Sequence, residues 1–255
     1  DPRVGDAGAG YDPSSADLAV KHFYPESSDD RWHQAALTVE GKIGNFDLTY
    51  AFSNLRRDVD SEADYADYGF WYDSISGYGA YFYDDNGDLV NPAQYIQASD
   101  GYRKTSHELR IASPRENRVR FVGGLFWQQQ EHDIHQRYRI DGLASDLSVT
   151  GYEDTIWLTE QEREDRDSAV FGEVSFDVTD KLALTAGGRW FRAENSLKGY
   201  FGFANGYSSQ SDRLPENRYG EAGCLAQYGA NWTSFKGAPC KVFDKGVREN
   251  GSLGR

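Results

Sequence analysis

The sequence of 255 residues contains no methionine and only two cysteines, and its basic residues are in the minority. It has no run of about eighteen apolar residues, which excludes a transmembrane helix. With 27 basic against 41 acidic residues the net charge is −14. Because nucleic-acid binding depends on Lys and Arg that neutralise phosphates, no nucleic-acid partner is expected. Since methionine and an apolar leader are both lacking, we expect the chain to be an incomplete piece of a longer protein.

Three segments each predict a pair of long antiparallel strands joined by a very short turn. They run from Trp32 to Leu55, from Thr105 to Gln130 and from Ser168 to Asn195. The turns are expected at Gly41–Asn45, Pro114–Asn117 and Thr179–Asp180. Long polar loops are expected at 56–104, 131–167 and 196–255. Short turns at one end of the strands and long loops at the other are typical of an outer-membrane β-barrel.

Apolar and polar residues alternate along these segments, as in a strand with two different faces. In the second segment Val119, Phe121, Leu125 and Trp127 share one face. The other faces of the segments carry the charged residues Glu108, Arg110, Arg120, Glu173, Asp177 and Arg189. Aromatic residues expected near the strand ends, as in a membrane girdle, are Trp32, Tyr50, Trp127, Trp190 and Phe191. Alternation also suits a soluble sheet with one solvated face, but the strand length favours the barrel.

Several stretches of the chain are similar to a known family. KTSHELRIASP, RFVGGLFWQQQEHDI and DTIWLTEQEREDRDSAVFGEVSFDVTDKLALTAGGRWF resemble the barrel of TonB-dependent outer-membrane receptors, and Ser168–Phe191 is the most specific part. The segment CLAQYGANWTSFKGAPC resembles a disulfide-bearing extracellular loop of such receptors. Cys224 and Cys240 also lie close together in the sequence, and in an oxidising compartment they are expected to pair.

The resemblance implies an importer in the bacterial outer membrane, surrounded by lipid. Such a receptor binds a ferric siderophore or similar chelate, cobalamin or an oligosaccharide. Its N-terminal plug sits inside a 22-stranded barrel and couples import to the TonB–ExbB–ExbD complex. In this chain we count about six long strands and no plug. Residues 1–255 are therefore expected to form part of one antiparallel transmembrane β-barrel domain, a middle section that cannot close alone.

The loop Asp58–Tyr102 is rich in acidic residues and tyrosine and contains no Lys, Arg or His. Aromatic side chains give a large contact area at low entropic cost. The loop is thus a candidate surface for a sugar, an aromatic ligand or a cationic chelate, and the alternative is a loop packed on itself. The candidate ligand contacts are Tyr68, Trp71, Tyr72, Tyr81 and Tyr83. Within the loop, Asn86-Gly87 predicts a hairpin turn.

The cluster His132, Asp133 and His135 is a weak candidate for a metal site, because two imidazoles and a carboxylate can ligate a transition metal. A polar strand end explains these residues equally well. No cofactor and no catalytic residue is expected. Two other functions stay open: a soluble secreted β-sandwich that binds carbohydrate through the tyrosine-rich loop, and an outer-membrane barrel enzyme that uses Asp and His at the rim.

Overall fold

The computed structural model describes residues 22–74, 82–205 and 219–254. Seven strands form one antiparallel sheet in which each strand pairs with its neighbours in the sequence. The strands are β1 (Ser27–Ile43), β2 (Phe46–Asp64), β3 (Tyr95–Ala112), β4 (Val119–Arg139), β5 (Thr155–Thr179), β6 (Leu182–Phe203) and β7 (Phe243–Gly254). Helix α1 (Ala66–Ser74) follows β2, and helix α2 (Gly220–Tyr228) precedes β7.

The three short turns confirm the predicted hairpins, and the first needs a glycine, because Gly44 has a φ of 62°. The predicted loop boundaries were wrong, since the strands extend far into the polar segments. The connections at the opposite end shrink to 65–94, 140–154 and 204–242. The sheet has seven strands instead of the expected six, because the predicted loop 196–255 contains the end of β6 and all of β7. Much of the added length, such as Glu160–Asp167 of β5 and most of β7, is polar on both faces, which removes the alternation that marks a strand.

The register divides the side chains of the sheet into two faces. Face A carries Val39, Tyr50, Leu109, Leu125, Val170 and Trp190, which lie side by side across β1 to β6. Face B carries the charged residues assigned to the polar side, including Arg120, Glu173 and Arg189. Tyr50, Trp127 and Trp190 lie on face A with the apolar residues, whereas Trp32 and Phe191 lie on face B. The predicted position near a strand end was wrong for Trp127 and Trp190, because β4 and β6 continue far beyond them.

Face A has an exposed apolar band beside the short turns. On β4 the band extends from Val119 to Trp127, and its large side chains are largely uncovered, with Val174 50% and Trp190 64% exposed. Above Trp127 the same face becomes polar, beginning with Gln129 and Glu131. The sheet therefore has exposed apolar side chains on face A near the short turns, whereas the exposed side chains of the same face nearer the loops are polar.

The buried residues lie at the loop end. One cluster packs loop residues and the Cys224–Cys240 disulfide against Leu158 and Tyr200, which belong to face A. A second cluster, around Phe82, Ile140 and Leu147, packs against Tyr138, Trp157 and Phe203. The cysteines are joined at an S–S distance of 2.00 Å. The loops thus fold back on the strand ends, and they cover both sides of the sheet there.

Within the described residues β1 pairs only with β2 and β7 only with β6, so the sheet is open at both edges. All seven strands belong to this single sheet, which differs from the two packed sheets of a β-sandwich. Neither helix in the described part of the chain has the length and apolar character needed to cross a membrane.

Candidate ligand-binding region at the loop end

Helix α1 carries three of the five predicted ligand contacts. Tyr68 is 41% and Trp71 57% exposed, and Tyr72 lies in the last turn of the helix. The helix leaves β2 through Tyr65, whose ring stacks on Tyr68 at 4.7 Å. It packs tightly on the chain before β3, where a Cβ on Gly69 would lie 2.1 Å from the carbonyl oxygen of Pro92. The contact holds Tyr68 and Trp71 at the end of the sheet.

The other two predicted contacts lie on the following segment. Tyr81 is outside the described residues. The hydroxyl of Tyr83 donates to Asp146 at 3.0 Å, and this hydrogen bond raises the pKa of Tyr83. Tyr83 pairs with Leu89 across a hairpin in which Gly87 has a φ of 85°, which confirms the predicted Asn86-Gly87 turn. Tyr83 thus connects two loops, and its hydroxyl is already engaged.

The candidate metal ligands do not converge. The Nε2 atom of His132 lies 3.1 Å from Asp100 on face B, whereas His135 and Asp133 lie on face A. There the Nδ1 atom of His135 lies 2.5 Å from Glu160, and Asp133 accepts from a lysine. No group of three potential ligands within the described residues could hold a metal ion. Successive residues of a strand point to opposite faces, which separates His132 from the other two.

Face B presents an ordered row of side chains that sequence analysis did not identify. Arg57, Tyr102 and His132 occupy adjacent positions on β2, β3 and β4. The rings of Tyr102 and His132 stack at 3.9 Å and 17°, and the guanidinium of Arg57 lies 5.8 Å from the centre of the tyrosine ring. Asp30 accepts two hydrogen bonds from Arg57. Only the strand register, which the sequence alone does not give, brings these residues together.

The disulfide-bearing loop is attached to face A through Lys236. Its Nζ atom donates to Asp133 at 2.9 Å and to Glu162 at 2.5 Å. Burial alone would lower the pKa of Lys236, but the hydrogen bonds to both carboxylates outweigh burial and raise it. Glu162 also accepts from Lys198 at 2.7 Å. One lysine therefore fixes a long loop to two neighbouring strands.

The loop end thus combines exposed aromatic rings on α1 with hydrogen-bonded charged groups on face B. Rings can stack on a sugar or a planar ligand, and the fixed arginine and carboxylate groups can orient its polar atoms. Comparisons with family models, with curated proteins and with solved structures found no match.

Proposed function

We propose that the chain is part of a TonB-dependent outer-membrane receptor that imports a scarce nutrient and does no catalysis. The observation that carries the proposal is the exposed apolar band of face A beside short turns, opposite the charged face B. Large exposed apolar patches are rare on soluble monomers and mark interaction surfaces. In a barrel, face A would meet lipid, and face B would line a wet interior.

The dimensions of the band support contact with a bilayer. From Val119 to Trp127, at about 3.4 Å per residue and a tilt of about 40°, the band is about 21 Å high. Outer-membrane barrels carry an apolar band of about 25 Å. Trp127 and Trp190 lie at its upper border, where interfacial aromatic residues concentrate. The open edges of β1 and β7 would pair with further strands, because unpaired backbone groups are costly in lipid.

The loop end would bind the nutrient. Tyr68 and Trp71 offer rings, and the row of Arg57, Tyr102 and His132 offers oriented polar groups below them. A ferric siderophore or similar chelate, or an oligosaccharide, fits this combination of stacking and hydrogen bonding. The net charge of −14 favours a neutral or cationic ligand over a strongly anionic one.

Site-directed spin labelling tests the membrane assignment. Both native cysteines are in the disulfide, so a label reacts only at an introduced cysteine. We compare Val174→Cys on face A with the adjacent Ser175→Cys on face B, in phosphatidylcholine vesicles. The label at 174 should be more accessible to oxygen, and the label at 175 to a water-soluble nickel complex. Equal accessibility to both reagents would contradict lipid contact on face A.

Uptake by cells tests the transport assignment. The full-length protein is expressed in a Gram-negative bacterial strain that lacks its own outer-membrane iron receptors. The accumulation of ⁵⁵Fe, supplied as ferric siderophores, is then measured. Uptake should require the proton-motive force and should fall when Tyr68 and Trp71 are both replaced by alanine. A panel of radiolabelled oligosaccharides is assayed in the same way. A membrane-inserted protein that changes the ligand chemically would instead support the enzyme alternative.

A further inference from the structure

A groove of about 350 Å³ lies on face B, on the turn side of the row of Arg57, Tyr102 and His132. Strands β4 to β7 form the groove, and on β4 it reaches Gln130, two residues before His132. It begins just beyond the level of Trp127, the upper border of the apolar band on the opposite face. The row and the groove therefore belong to one continuous surface of face B.

Planar polar side chains make up most of the groove lining. Three amides and three carboxylates of face B line it: Gln128, Gln130, Asn195, Asp165, Asp167 and Glu249. Glu194 also borders the groove, but it belongs to face A, where it accepts from Arg192 and Arg248. No lysine or arginine is among the described residues that line the groove.

Two of the three face-B carboxylates have no cationic partner within the described part of the chain. Asp165 is neutralised by Arg163, whose guanidinium donates to it at 2.9 Å. Asp167 accepts from the uncharged amide of Gln128 at 2.6 Å. No ion pair among the described residues involves Asp167 or Glu249. The groove therefore contains two negative charges that are not compensated.

A small residue keeps the groove open between these two carboxylates. Asp167 and Glu249 are the neighbours of Ala193 on either side, so about 10 Å separates their Cα atoms. Two residues before Ala193, the ring of Phe191 extends over Gly251, where an added Cβ would lie 2.6 Å from it. The groove thus has a carboxylate on each side and an aromatic ring next to its lower end.

Carboxylates, amides and an aromatic ring together match the chemistry of an amino sugar. Carboxylates without a cationic partner can bind a charged amino group, and such charge-assisted hydrogen bonds are stronger than neutral ones. Amide side chains both donate to hydroxyl groups and accept from them. An aromatic ring offers a flat apolar surface to the sugar ring. An anionic ligand is disfavoured, because it would meet two uncompensated carboxylates.

We propose that the groove binds the charged amino group of an amino sugar between Asp167 and Glu249, and that the imported nutrient is an oligosaccharide with free amino groups. The inference rests on the proposed function, because it names the class of nutrient that this surface of face B selects. Gln128 holds Asp167 in position through its hydrogen bond. Gln130 and Asn195 provide donors and acceptors for the hydroxyl groups of the same sugar unit.

Calorimetric titration of the full-length protein in a non-ionic detergent tests the inference. The probes are the tetramers of glucosamine and of N-acetylglucosamine, at a mildly acidic pH at which free amino groups are charged. The wild type should bind the glucosamine tetramer about tenfold more tightly. The double variant Asp167→Asn/Glu249→Gln should bind both tetramers equally, with the wild-type affinity for the acetylated one. Equal binding of both tetramers by the wild type, or an unchanged preference in the double variant, would overturn the inference.

Two further variants test whether the groove itself selects the ligand. The control Glu131→Gln/Glu164→Gln removes two carboxylates that face each other on face A, and it should keep the preference for the glucosamine tetramer. The same loss in this control would assign the preference to the total charge and contradict the site. Ala193→Leu fills the space between Asp167 and Glu249 and should weaken the binding of both tetramers about tenfold. Unchanged binding in Ala193→Leu would also contradict the site.

The proposed function and this inference fail in different ways. A protein that inserts into vesicles and takes up ferric siderophores, but binds neither tetramer, would contradict only the inference. A protein that does not enter vesicles, but prefers the glucosamine tetramer through Asp167 and Glu249, would contradict the proposed function and leave the binding site for the amino group in place.

Discussion

Replacing Val174 by arginine separates a sheet that faces water from one that faces lipid. Val174 is 50% exposed on face A. In water an arginine there would keep its hydration, and the free energy of unfolding should change by at most about 0.5 kcal/mol. In lipid an arginine costs about 2–4 kcal/mol at mid-bilayer and less near the interfaces.

The register locates Val174 within the band and sets the expected cost. The middle row of the band holds Gly123 and Gly172, and Val174 is two residues away on β5. This is about 7 Å along the strand and about 5 Å along the membrane normal. We therefore expect Val174→Arg to lower the free energy of unfolding by about 2–3 kcal/mol.

The measurement is urea unfolding in phosphatidylcholine vesicles, followed by tryptophan fluorescence. Val122→Arg is the matched control, because Val122 lies at a similar height on face B and opposite Glu173. The control should change stability by less than about 1 kcal/mol. If Val174→Arg is as stable as the wild type, or both variants lose the same stability, face A does not meet lipid.

Three further predictions concern the sheet and its loops. Gly124→Ala should lower the free energy of unfolding by about 1–3 kcal/mol, because the new Cβ would lie 2.7 Å from a backbone oxygen of β3. In the control Gly123→Ala the new Cβ would lie 3.6 Å from the nearest backbone oxygen, so its stability in urea unfolding should be close to that of the wild type. Lys236→Met should cost about 1 kcal/mol and speed chymotryptic cleavage of the disulfide-bearing loop. With the pKa of Lys236 raised above 10.5 and that of Glu162 lowered below 4.5, the lysine contact should stabilise fully between those pH values. The contact should weaken as the pH rises through the pKa of Lys236 in the folded protein, or falls through the pKa of Glu162 in the folded protein. Cys224→Ala should cost about 3 kcal/mol and expose Lys236 to trypsin, and unchanged cleavage would contradict a stabilising role of the disulfide.

The strand cores could be predicted because their two faces differ in chemistry. Val119, Phe121, Leu125 and Trp127 recur at every second or fourth position, so their common face followed from the sequence alone. The hairpin turns followed from the same pattern, since alternation stops at polar and turn-forming residues. The predicted distribution of charge was correct for the same reason: a charged residue inside an apolar face would have broken the pattern.

The strand ends could not be predicted in this way. β5 extends over 25 residues, from Thr155 to Thr179, and its segment Glu160–Asp167 is charged on both faces. β7, with the sequence FDKGVRENGSLG, has almost no apolar residues and reads as a loop. Backbone hydrogen bonds to the neighbouring strand hold such segments in the sheet. This pairing does not depend on side-chain hydrophobicity, so a hydrophobicity pattern cannot predict it.

The candidate site escaped prediction for a related reason. Trp71 and Tyr68 were identified because aromatic residues are conspicuous in a polar loop. The row of Arg57, Tyr102 and His132 was not, because its members are far apart in the sequence and meet only through the register. His132 was noticed for its neighbours in the chain, whereas its structural partners lie on β3.

Under the proposed membrane location, the length of the strands explains how one sheet can meet both lipid and water. About 9–11 residues cross a bilayer as a tilted strand, yet β4 has 21 and β5 has 25. The excess lies beyond Trp127 and Ser168, where both faces are polar until the strands reach the buried clusters at the loop end. Backbone pairing, ion pairs and the two buried clusters at the loop end stabilise that part, independently of the apolar band. Substitutions among the loop residues should therefore change ligand binding without changing insertion, and substitutions in the band should do the reverse.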